Sequence, residues 1–445
     1  MLIKENKDFS NRVAVVTKNY SFYYADYLRV FEINRDILLS IKGKRIGLLR
    51  LSSIDIAKII PLLVGWVKSI VFIPSNLTDN DLDIICAERY IDAYLSLKDG
   101  EQCVIEEINK ITEIESNNLY DTEVIIPTSG TTAVPKLVRH SLTSLTRTVK
   151  RNTSIGGDSR WALSYQLDRF AGLQVFLQSY FSGASIIIPD ERDNFISRLK
   201  FFGDNKCTCM SATPTFWRMA IMHDIKHLIP NLKIITLGGE ISNQEILDKL
   251  RYIYPLSKIT HIYASTEAGV GFSVNDGFAG FPISYMTDGV NDIELKVSES
   301  SSLLIKNRTG YQSYVGRNDL VNSEGFIDSG DIISLTEDRV YFIGRSSGAI
   351  NVGGNKVMPE EVESVLLDHH NVKLCRVYAK KNPIMGSLVC CDVVFSKNTG
   401  DIGEMKKDLV EHCKTHLDSF KVPVVYKIVD DIGIKINNNG KIIRH

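Results

Sequence analysis

The chain has 445 residues, which is long enough for two or three domains and a large hydrophobic core. Lysine and arginine total 52 against 53 for aspartate and glutamate, so no overall basic field favours nucleic acid or an anionic membrane as a partner. The eight cysteines show neither a disulfide framework nor the spacing of a zinc site, and we interpret them as reduced and mostly buried.

The N-terminus, MLIKENKDFSNR, is charged and lacks the apolar segment of a signal peptide. The most apolar stretch, Ile56 to Pro74, is interrupted by Lys58, Pro61 and Lys68. A membrane helix needs about 20 apolar residues in a row. We therefore expect a cytoplasmic protein that has no membrane partner.

Apolar runs of strand length alternate with helical patterns over the first three quarters of the chain. The runs include RIGLLRL, SIVFIP, ASIIIP, LKIITLGG and ITHIYAS, and helical patterns occupy Ile54 to Val67 and Ile241 to Leu250. Strands separated by helices predict parallel sheets that are covered on both faces. From about Ile293, shorter segments with alternating polarity and turns predict antiparallel strands that close this large region.

A change of composition follows Arg345. The small, Gly-rich stretch SSGAINVGGNK predicts a hinge, and the acidic stretch PEEVESVLLDH predicts a helix with Pro359 in its first turn. The sequence thus predicts an α/β fold in two parts. Residues 1–345 would form a large N-terminal domain of sheets flanked by helices, and residues 346–445 a small, mobile α+β lid domain.

The stretch IIPTSGTTAVPK ends in a lysine and is rich in hydroxyl side chains and small residues. Such a loop after a β-branched run suits an oxyanion such as a phosphate. It is not a Walker loop, because Pro135 and Leu137 flank Lys136 where that pattern needs glycine before the lysine and serine or threonine after it. The loop is predicted to bind the phosphates of ATP in a different fold.

Five short motifs occur in a fixed order and carry a family resemblance. They resemble the adenylate-forming enzymes, which include acyl-CoA synthetases, peptide-synthetase adenylation domains and firefly-type luciferases. The resemblance covers nearly the whole chain, although the sequence departs from the usual pattern at Ala133, Leu137, Ser347 and Gly433. The motifs are PTSGTTAVPK (127–136), YASTEAG (263–269), DSGD (328–331), GRSSGAINVGGNKVMPEEVE (344–363) and NGKIIR (439–444).

The resemblance implies a site for ATP and Mg²⁺. Thr266 would contact a phosphate, and Glu267 would hold Mg²⁺, a cation that prefers carboxylate oxygens. Asp331 would accept hydrogen bonds from the ribose hydroxyls, and Arg345 would donate to them. Tyr263 would present a flat face to adenine. The remaining residues implied at the triphosphate and beside the adenine are Thr128, Ser129, Gly130, Thr131, Thr132, Lys136, Gly238, Gly239 and Glu240.

The resemblance also assigns the second domain a part in the reaction. Lys441 stands where this family places the lysine that stabilises charge on the carboxylate and α-phosphate as they react. Thr266 and Glu267 complete the implied catalytic set. Gly353 and Gly354 would form a lid loop beside the tunnel for a pantetheine thiol, because glycine permits a close approach.

The acid pocket is predicted from the segment LSYQLDRFAGLQVFLQSYFSGA and its surroundings. Counting back from Gly183 places Phe170 where amino-acid-activating relatives keep an aspartate, and Asp168 near the position of the acyl-CoA synthetase histidine. The predicted pocket residues are mainly bulky, which favours a short, branched or aryl acid over a long fatty chain. They are Trp161, Tyr165, Asp168, Phe170, Met210, Phe216 and Val270.

Two other patterns are interpreted as unrelated to function. SIGGDS (154–159) looks like a phosphopantetheine attachment motif but lies between two adenylation motifs, with no space for a carrier domain. The histidine pairs of HDIKH (223–227) and HCKTH (412–416) have i, i+4 spacing without the glutamate of HExxH or an evident third ligand, so we expect ordinary helix surface.

Three hypotheses for function remain open at this point. The first is a ligase that joins a small carboxylic acid to CoA through an acyl-adenylate. The second is an adenylating enzyme that loads the phosphopantetheine of a separate carrier protein. The third is a catalytically silent protein with the adenylate-forming fold.

Overall fold

The computed structural model describes residues 9–73, 91–107, 121–128, 136–308, 312–314, 320–383, 385–395, 401–430 and 442. The strands of these residues are numbered in chain order: β1 (Val13–Val16), β2 (Ser21–Tyr23), β3 (Arg45–Leu49), β4 (Ser69–Ile73), β5 (Ala93–Lys98), β6 (Gln102–Glu107), β7 (Glu123–Thr128), β8 (Lys136–His140), β9 (Arg160–Leu163), β10 (Ser185–Ile187), β11 (Cys209–Ala212), β12 (Ile234–Gly238), β13 (Lys258–Ser265), β14 (Gly269–Val274), β15 (Phe281–Pro282), β16 (Ile293–Val297), β17 (Ser302–Asn307), β18 (Gln312–Tyr314), β19 (Ile327–Leu335), β20 (Arg339–Arg345), β21 (Ile350–Val352), β22 (Asn355–Val357), β23 (Val372–Asn382), β24 (Gly386–Phe395) and β25 (Val425–Ile428).

The helices are α1 (Asp26–Ile33), α2 (Arg35–Ser40), α3 (Ser53–Leu63), α4 (Leu142–Thr146), α5 (Thr153–Gly156), α6 (Phe170–Phe181), α7 (Phe195–Asp204), α8 (Pro214–Met222), α9 (Ile225–Leu228), α10 (Gln244–Ile253), α11 (Ser284–Asp288), α12 (Pro359–Asp368) and α13 (Ile402–His416). A 3₁₀ turn spans Ser346–Gly348. No helix of the described residues is long and apolar enough to span a membrane.

The first sheet holds the strands that later position the site. Its order is β14-β13-β12-β11-β9-β10-β1-β2, and the pairs from β13 to β1 are parallel. One face carries a core formed with α7, α8 and α10, centred on Trp217 and Phe202. The other face packs on α6 and α3, which also cover the second sheet. The predicted parallel sheet with helices on both faces is confirmed.

The second sheet has the order β18-β8-β7-β4-β3-β5-β6, with parallel pairing from β7 to β5. The third has the order β15-β20-β19-β17-β16 and is antiparallel throughout, as the alternating segments after Ile293 predicted. Both sheets bring strand ends to the same side of the first sheet, where the site lies.

The C-terminal region, meaning the described residues from Ser346 onwards, has a sheet and a core of its own. Its strand order is β22-β21-β24-β23, with β25 parallel to β24. Helices α12 and α13 pack on this sheet around Val362 and Leu409. Pro359 is the first residue of α12, as the sequence predicted.

The C-terminal region touches the N-terminal region, meaning the described residues up to Arg345, through a small apolar cluster. Leu374 and Val394 are buried there against Met219 and Met222 of α8. Ile442 packs against the same cluster. The contact places Ile442 at the edge of the site.

Candidate active site

A cleft of about 1820 Å³ opens at the carboxyl ends of the parallel strands β9, β11, β12 and β13. Open α/β sheets bind ligands at this edge, because each strand there releases its chain into a loop. The cleft is lined by those four loops, by the ends of the β7–β8 and β19–β20 pairs, and by α12 of the C-terminal region. Motifs that are as far apart in sequence as those of Lys136 and Ile442 therefore share one cavity.

The turn between β13 and β14 carries Thr266 and Glu267. Both side chains are half-buried and line the cleft. The turn is tightened by the Ser265 hydroxyl, which accepts a hydrogen bond from the Ala268 amide at 3.0 Å, and by Gly269 at a φ of 71°. The Glu267 carboxylate thus faces the cavity from a fixed turn, and its oxygens suit a hard cation such as Mg²⁺.

Tyr263, Asp331 and Arg345 form a connected polar group across two sheets. The Tyr263 hydroxyl donates to Asp331 Oδ2 at 2.6 Å, and Arg345 Nε lies 3.3 Å from Asp331 Oδ1. Asp331 and Arg345 face each other on β19 and β20. Burial, together with the charge of Asp331, raises the pKa of Tyr263, so its phenol keeps the proton that it donates.

The Tyr263 ring belongs to an aromatic row. It stacks on Phe342 at 4.9 Å between ring centroids with 3° between the planes, and on Phe272 at 5.3 Å with 17°. Gly271 allows this packing, because a Cβ there would lie 3.0 Å from Tyr263 Cδ1. The row gives the cleft a flat apolar wall beside the polar group of Asp331.

The Gly238–Glu240 turn follows β12 and also lines the cleft. The Tyr165 hydroxyl donates to the Gly238 carbonyl at 3.4 Å. Glu240 Oε2 accepts a hydrogen bond from the Thr215 amide at 3.0 Å, in the first turn of α8. Glu240 therefore holds the start of the helix that carries Met219 and Met222, a role that the sequence did not reveal.

The β7–β8 pair brings Thr128 and Lys136 opposite each other at the cleft. The Thr128 hydroxyl donates to the Lys136 carbonyl at 3.3 Å, and both residues line the cavity. The Lys136 side chain is exposed and supplies a positive charge on this side. Ser129, Gly130, Thr131 and Thr132 lie outside the described residues.

Five of the predicted acid-pocket residues line the cleft. They are Trp161, Tyr165, Asp168, Phe170 and Val270. The side chains of Trp161, Tyr165 and Phe170 are almost fully buried in the main core and also line the cavity. The cavity wall on this side is therefore aromatic and rigid.

The structure contradicts the prediction for the other two pocket residues, Met210 and Phe216. Met210 is fully buried, and Phe216 is 3% exposed in the core under α7 and α8, where its ring lies 4.8 Å from that of Phe195. Neither is among the residues that line the cleft. Met210 pairs in register with Ala162, whereas Cys209 pairs with Trp161, so Met210 points to the opposite face of the sheet from Trp161.

Asp168 and its neighbour Arg169 form an ion pair in the cleft wall that the sequence did not predict. Arg169 Nε lies 3.8 Å from Asp168 Oδ1, and both side chains are mostly buried. Burial raises the pKa of Asp168, and the charge of Arg169 opposes this effect. The Asp168 carboxyl thus lies beside a cation of the chain, although neither Asp168 Oδ1 nor Arg169 Nε makes a hydrogen bond to the described residues.

His140 is a second residue that sequence reasoning missed. It is the last residue of β8, is fully buried, and its ring lies 5.4 Å from that of Phe170. Among the described residues, neither of its ring nitrogens has a hydrogen-bond partner. Burial lowers its pKa to about 4, although the Thr266 backbone opposes the shift. A neutral imidazole therefore lies behind both the acid side and the Thr266 turn.

The residues that the sequence analysis assigned to the lid are not among those described at the cleft, although other residues of the C-terminal region line it. Gly353 and Gly354 have φ values of 58° and 91° and are not among the residues that line the cavity. Lys441 lies outside the described residues, and Ile442, which follows it, lines the cleft. Glu360 and Leu367 of α12 line the same side.

The family follows from comparison with known proteins. Residues 75–299 match the model of the AMP-binding enzyme, and residues 361–441 match that of the AMP-binding enzyme C-terminal domain. The chain belongs to this family, and the resemblance to adenylate-forming enzymes is confirmed. Its homologues include acyl- and aryl-CoA ligases.

The sequence is 27% identical over 356 residues to a 2-succinylbenzoate–CoA ligase of Bacillus licheniformis, and the alignment covers 75% of this chain and 71% of that protein. The fold is similar to that of an anthranilate CoA ligase in complex with anthranoyl-AMP, with a TM-score of 0.76, 17% identity and coverage of 99% of this chain and 94% of that one. It is also similar to o-succinylbenzoate coenzyme A synthetase from Bacillus subtilis in complex with ATP and magnesium, with a TM-score of 0.71, 18% identity and coverage of 100% and 98%.

Proposed function

We propose that the protein is an acid–thiol ligase that activates a small carboxylic acid with ATP and transfers the acyl group to CoA. One observation carries the proposal: Lys136, Glu267 and Asp331, from motifs far apart in sequence, line a single cleft in a chain of the AMP-binding enzyme family. A silent protein of this fold would have no need for all three. A cytoplasmic location, where ATP and CoA are present, is part of the proposal.

The first half-reaction forms an acyl-adenylate. A carboxylate oxygen attacks the α-phosphorus of ATP, the bond to the β-phosphate oxygen breaks, and pyrophosphate leaves. Asp331 and Arg345 would hold the ribose, the aromatic row of Tyr263 would border the adenine, and Thr128 with Lys136 would contact the phosphates. Glu267 would hold Mg²⁺, which spreads the negative charge of the phosphates.

Lys441 is proposed to stabilise the charge that develops on the carboxylate and α-phosphate. Support comes from its position in the NGKIIR motif, of which Ile442 lines the cleft. Because Lys441 lies in the predicted lid domain, its contribution would depend on where that domain sits. We place the boundary between the two domains at residues 345 and 346, where the third sheet ends and the 3₁₀ turn begins.

The second half-reaction forms the thioester. The thiol sulfur attacks the acyl carbon, the proton of the thiol is lost to water or to a base, and AMP leaves. Gly353 and Gly354 are proposed to border the thiol in this step. They lie outside the cleft, so the C-terminal region would have to turn between the two half-reactions.

For the acid, we propose a short, branched or aryl carboxylic acid. The aromatic wall of Trp161, Tyr165 and Phe170 leaves a rigid space and favours flat or compact groups. We expect free α-amino acids to be poor substrates. The Asp168 carboxyl is already paired with Arg169, and a buried ammonium group without a free carboxylate is unfavourable.

Pyrophosphate release with a panel of acids tests the first half-reaction. The panel pairs each aryl or branched acid with its α-amino derivative and with a long fatty acid. We expect pyrophosphate release with at least one aryl or branched acid. Its α-amino derivative and the long fatty acid should give little pyrophosphate. No release with any acid would contradict the proposed activity, whereas release with amino acids alone would contradict only the proposed acid class.

The acceptor is tested with the acid that gives the most pyrophosphate. Thioester is measured by mass spectrometry with CoA and, separately, with a panel of carrier proteins bearing phosphopantetheine. We expect acyl-CoA, as the names of the relatives suggest. Loading of a carrier with negligible acyl-CoA would instead support the carrier-loading alternative.

A further inference from the structure

The C-terminal region carries a cluster of histidine and aspartate side chains outside the cleft. His369 Nε2 donates to Asp408 Oδ2 at 3.0 Å, and the ring of His369 stacks on that of His370 at 4.7 Å. One ligand atom from each of these three residues lies within 4.8 Å of the others. The cluster joins the end of α12 to the middle of α13.

The fold brings together residues that are distant in the sequence. His369 and His370 follow the last turn of α12, whereas Asp408, His412 and His416 lie at successive turns of α13 and so share one face. The ring of His412 lies 5.2 Å from that of His369. The HCKTH pair thus lies beside further histidines that its own motif does not contain.

His369 differs from a histidine on an ordinary helix surface in its burial. His369 is only 4% exposed, although its Nε2 reaches the surface residue Asp408, whose side chain is 61% exposed. His370 is exposed. An imidazole nitrogen beside a carboxylate oxygen is a pair of donors that a metal ion can share.

We propose that His369, His370 and Asp408 form a binding site for a divalent transition metal ion, with Zn²⁺ as the best match. Two imidazole nitrogens and one carboxylate oxygen are ligands that Zn²⁺ accepts, with water completing the shell. Ligand atoms about 2.1 Å from a tetrahedral ion lie about 3.4 Å apart. The Nε2 to Oδ2 separation of 3.0 Å needs only a small opening.

Binding has a defined proton balance. His369 Nδ1 accepts a 3.3 Å hydrogen bond from the Asn371 amide, so the ring proton is on Nε2. For Nε2 to bind the metal, the ring changes tautomer: Nε2 loses its proton to solvent, Nδ1 takes one up, and the Asp408 hydrogen bond is replaced by a metal bond. Proton transfer to Nδ1 also ends the long contact with Asn371.

The site would act on the helix that borders the cleft. Leu367 and Asp368, immediately before His369, line the cavity. A metal ion that bridges His369 and Asp408 fixes the end of α12 to α13 and stabilises the C-terminal region. This inference stands independently of the proposed ligase activity.

The test is Zn²⁺ binding to the full chain, without a histidine tag and after treatment with a chelator. Isothermal titration should give one equivalent of Zn²⁺, and Co²⁺ should develop the visible absorption of a four- or five-coordinate site. His370→Ala and Asp408→Asn should each weaken Zn²⁺ binding by about tenfold or more. Both positions are exposed, and circular dichroism verifies that the variants fold.

Two control variants define the ligand set. His416→Ala removes a histidine of the same helix face, and His227→Ala removes an exposed histidine of the other sequence pair. Both should leave the affinity within about twofold of the unaltered chain. Zn²⁺ should raise the melting temperature of the unaltered chain but not that of His370→Ala. Absence of one-equivalent binding, or affinity unchanged in His370→Ala or Asp408→Asn, overturns the proposed site.

Discussion

The N-terminal and C-terminal regions contribute to the cleft in different ways. The N-terminal region supplies most of its wall from strand ends and turns that are fixed by its hydrophobic cores. This wall includes the Tyr263–Asp331 hydrogen bond and the β7–β8 pair. The C-terminal region has a separate core and meets α8 through a small apolar cluster around Leu374. The side of the cleft that we propose for the nucleotide is thus preorganised, whereas the C-terminal region is held by a smaller contact.

The largest expected effect comes from a change in the predicted lid domain that should affect only one of the two half-reactions. Lys441→Ala should lower acyl-adenylate formation by about 10²–10³-fold, because the charge forming at the α-phosphate loses a cation. Thioester formation from a supplied acyl-adenylate should stay near the unaltered rate. The matched control is Lys435→Ala, and pyrophosphate release and thioester yield are measured separately. An equal loss in both half-reactions would mean that Lys441 does not act only in the first.

A smaller effect is expected at the preorganised wall. Asp331→Ala removes the acceptor of the Tyr263 hydroxyl and the carboxylate beside Arg345, which keeps its hydrogen bond to the Ser329 carbonyl. Hydrogen bonds to a charged group contribute about 1.5–3 kcal/mol, so kcat/KM for ATP should fall by about 10–100-fold. The exposed Asp338, in the turn before β20, offers the control Asp338→Ala. Unchanged ATP kinetics in Asp331→Ala would place the nucleotide elsewhere.

The third prediction concerns stability rather than catalysis. The pKa of His140 is lowered from its ordinary 6.5 to about 4, so the unfolded chain binds a proton that the folded chain rejects. Stability should therefore fall as pH falls from 6.5 towards 4. Between about pH 7 and about pH 5 the loss from this residue is about 2 kcal/mol.

The measurement is urea denaturation at both pH values for the unaltered chain and for His140→Leu. The leucine variant should lose about 2 kcal/mol less on acidification, whatever its stability at neutral pH. His227→Leu, at an exposed position, should behave like the unaltered chain. The same pH slope in His140→Leu and the unaltered chain would show that His140 is protonated in the folded state.

The smallest effect is expected from Tyr263→Phe. This change removes the 2.6 Å hydrogen bond to Asp331 but keeps the ring in its stack with Phe342 and Phe272. A single hydrogen bond contributes about 1 kcal/mol, so KM for ATP should rise about fivefold. The control is Tyr341→Phe, at the position before Phe342 on β20. A change as large as that of Asp331→Ala would mean that the phenol itself binds the nucleotide.

The sequence determined the class of fold and the identity of many residues in the cleft. Apolar runs of strand length between helical patterns indicate buried strands, so the parallel first sheet could be predicted. The acidic stretch that begins at Pro359 likewise predicted the helix found there. The resemblance implied cleft positions for Glu267, Asp331 and Lys136, because motif order survives where overall similarity is low.

Only the tertiary structure decided which face each side chain takes and which distant residues meet. Met210 was wrongly predicted in the pocket, because strand register with Ala162 turns it to the other face of the sheet. The burial of His140 behind Phe170 and the meeting of His369 with Asp408 leave no local signal, since each depends on the packing of separate elements. Sequence spacing specifies neighbours along one helix or strand, whereas contacts between elements are fixed when their apolar faces pack together.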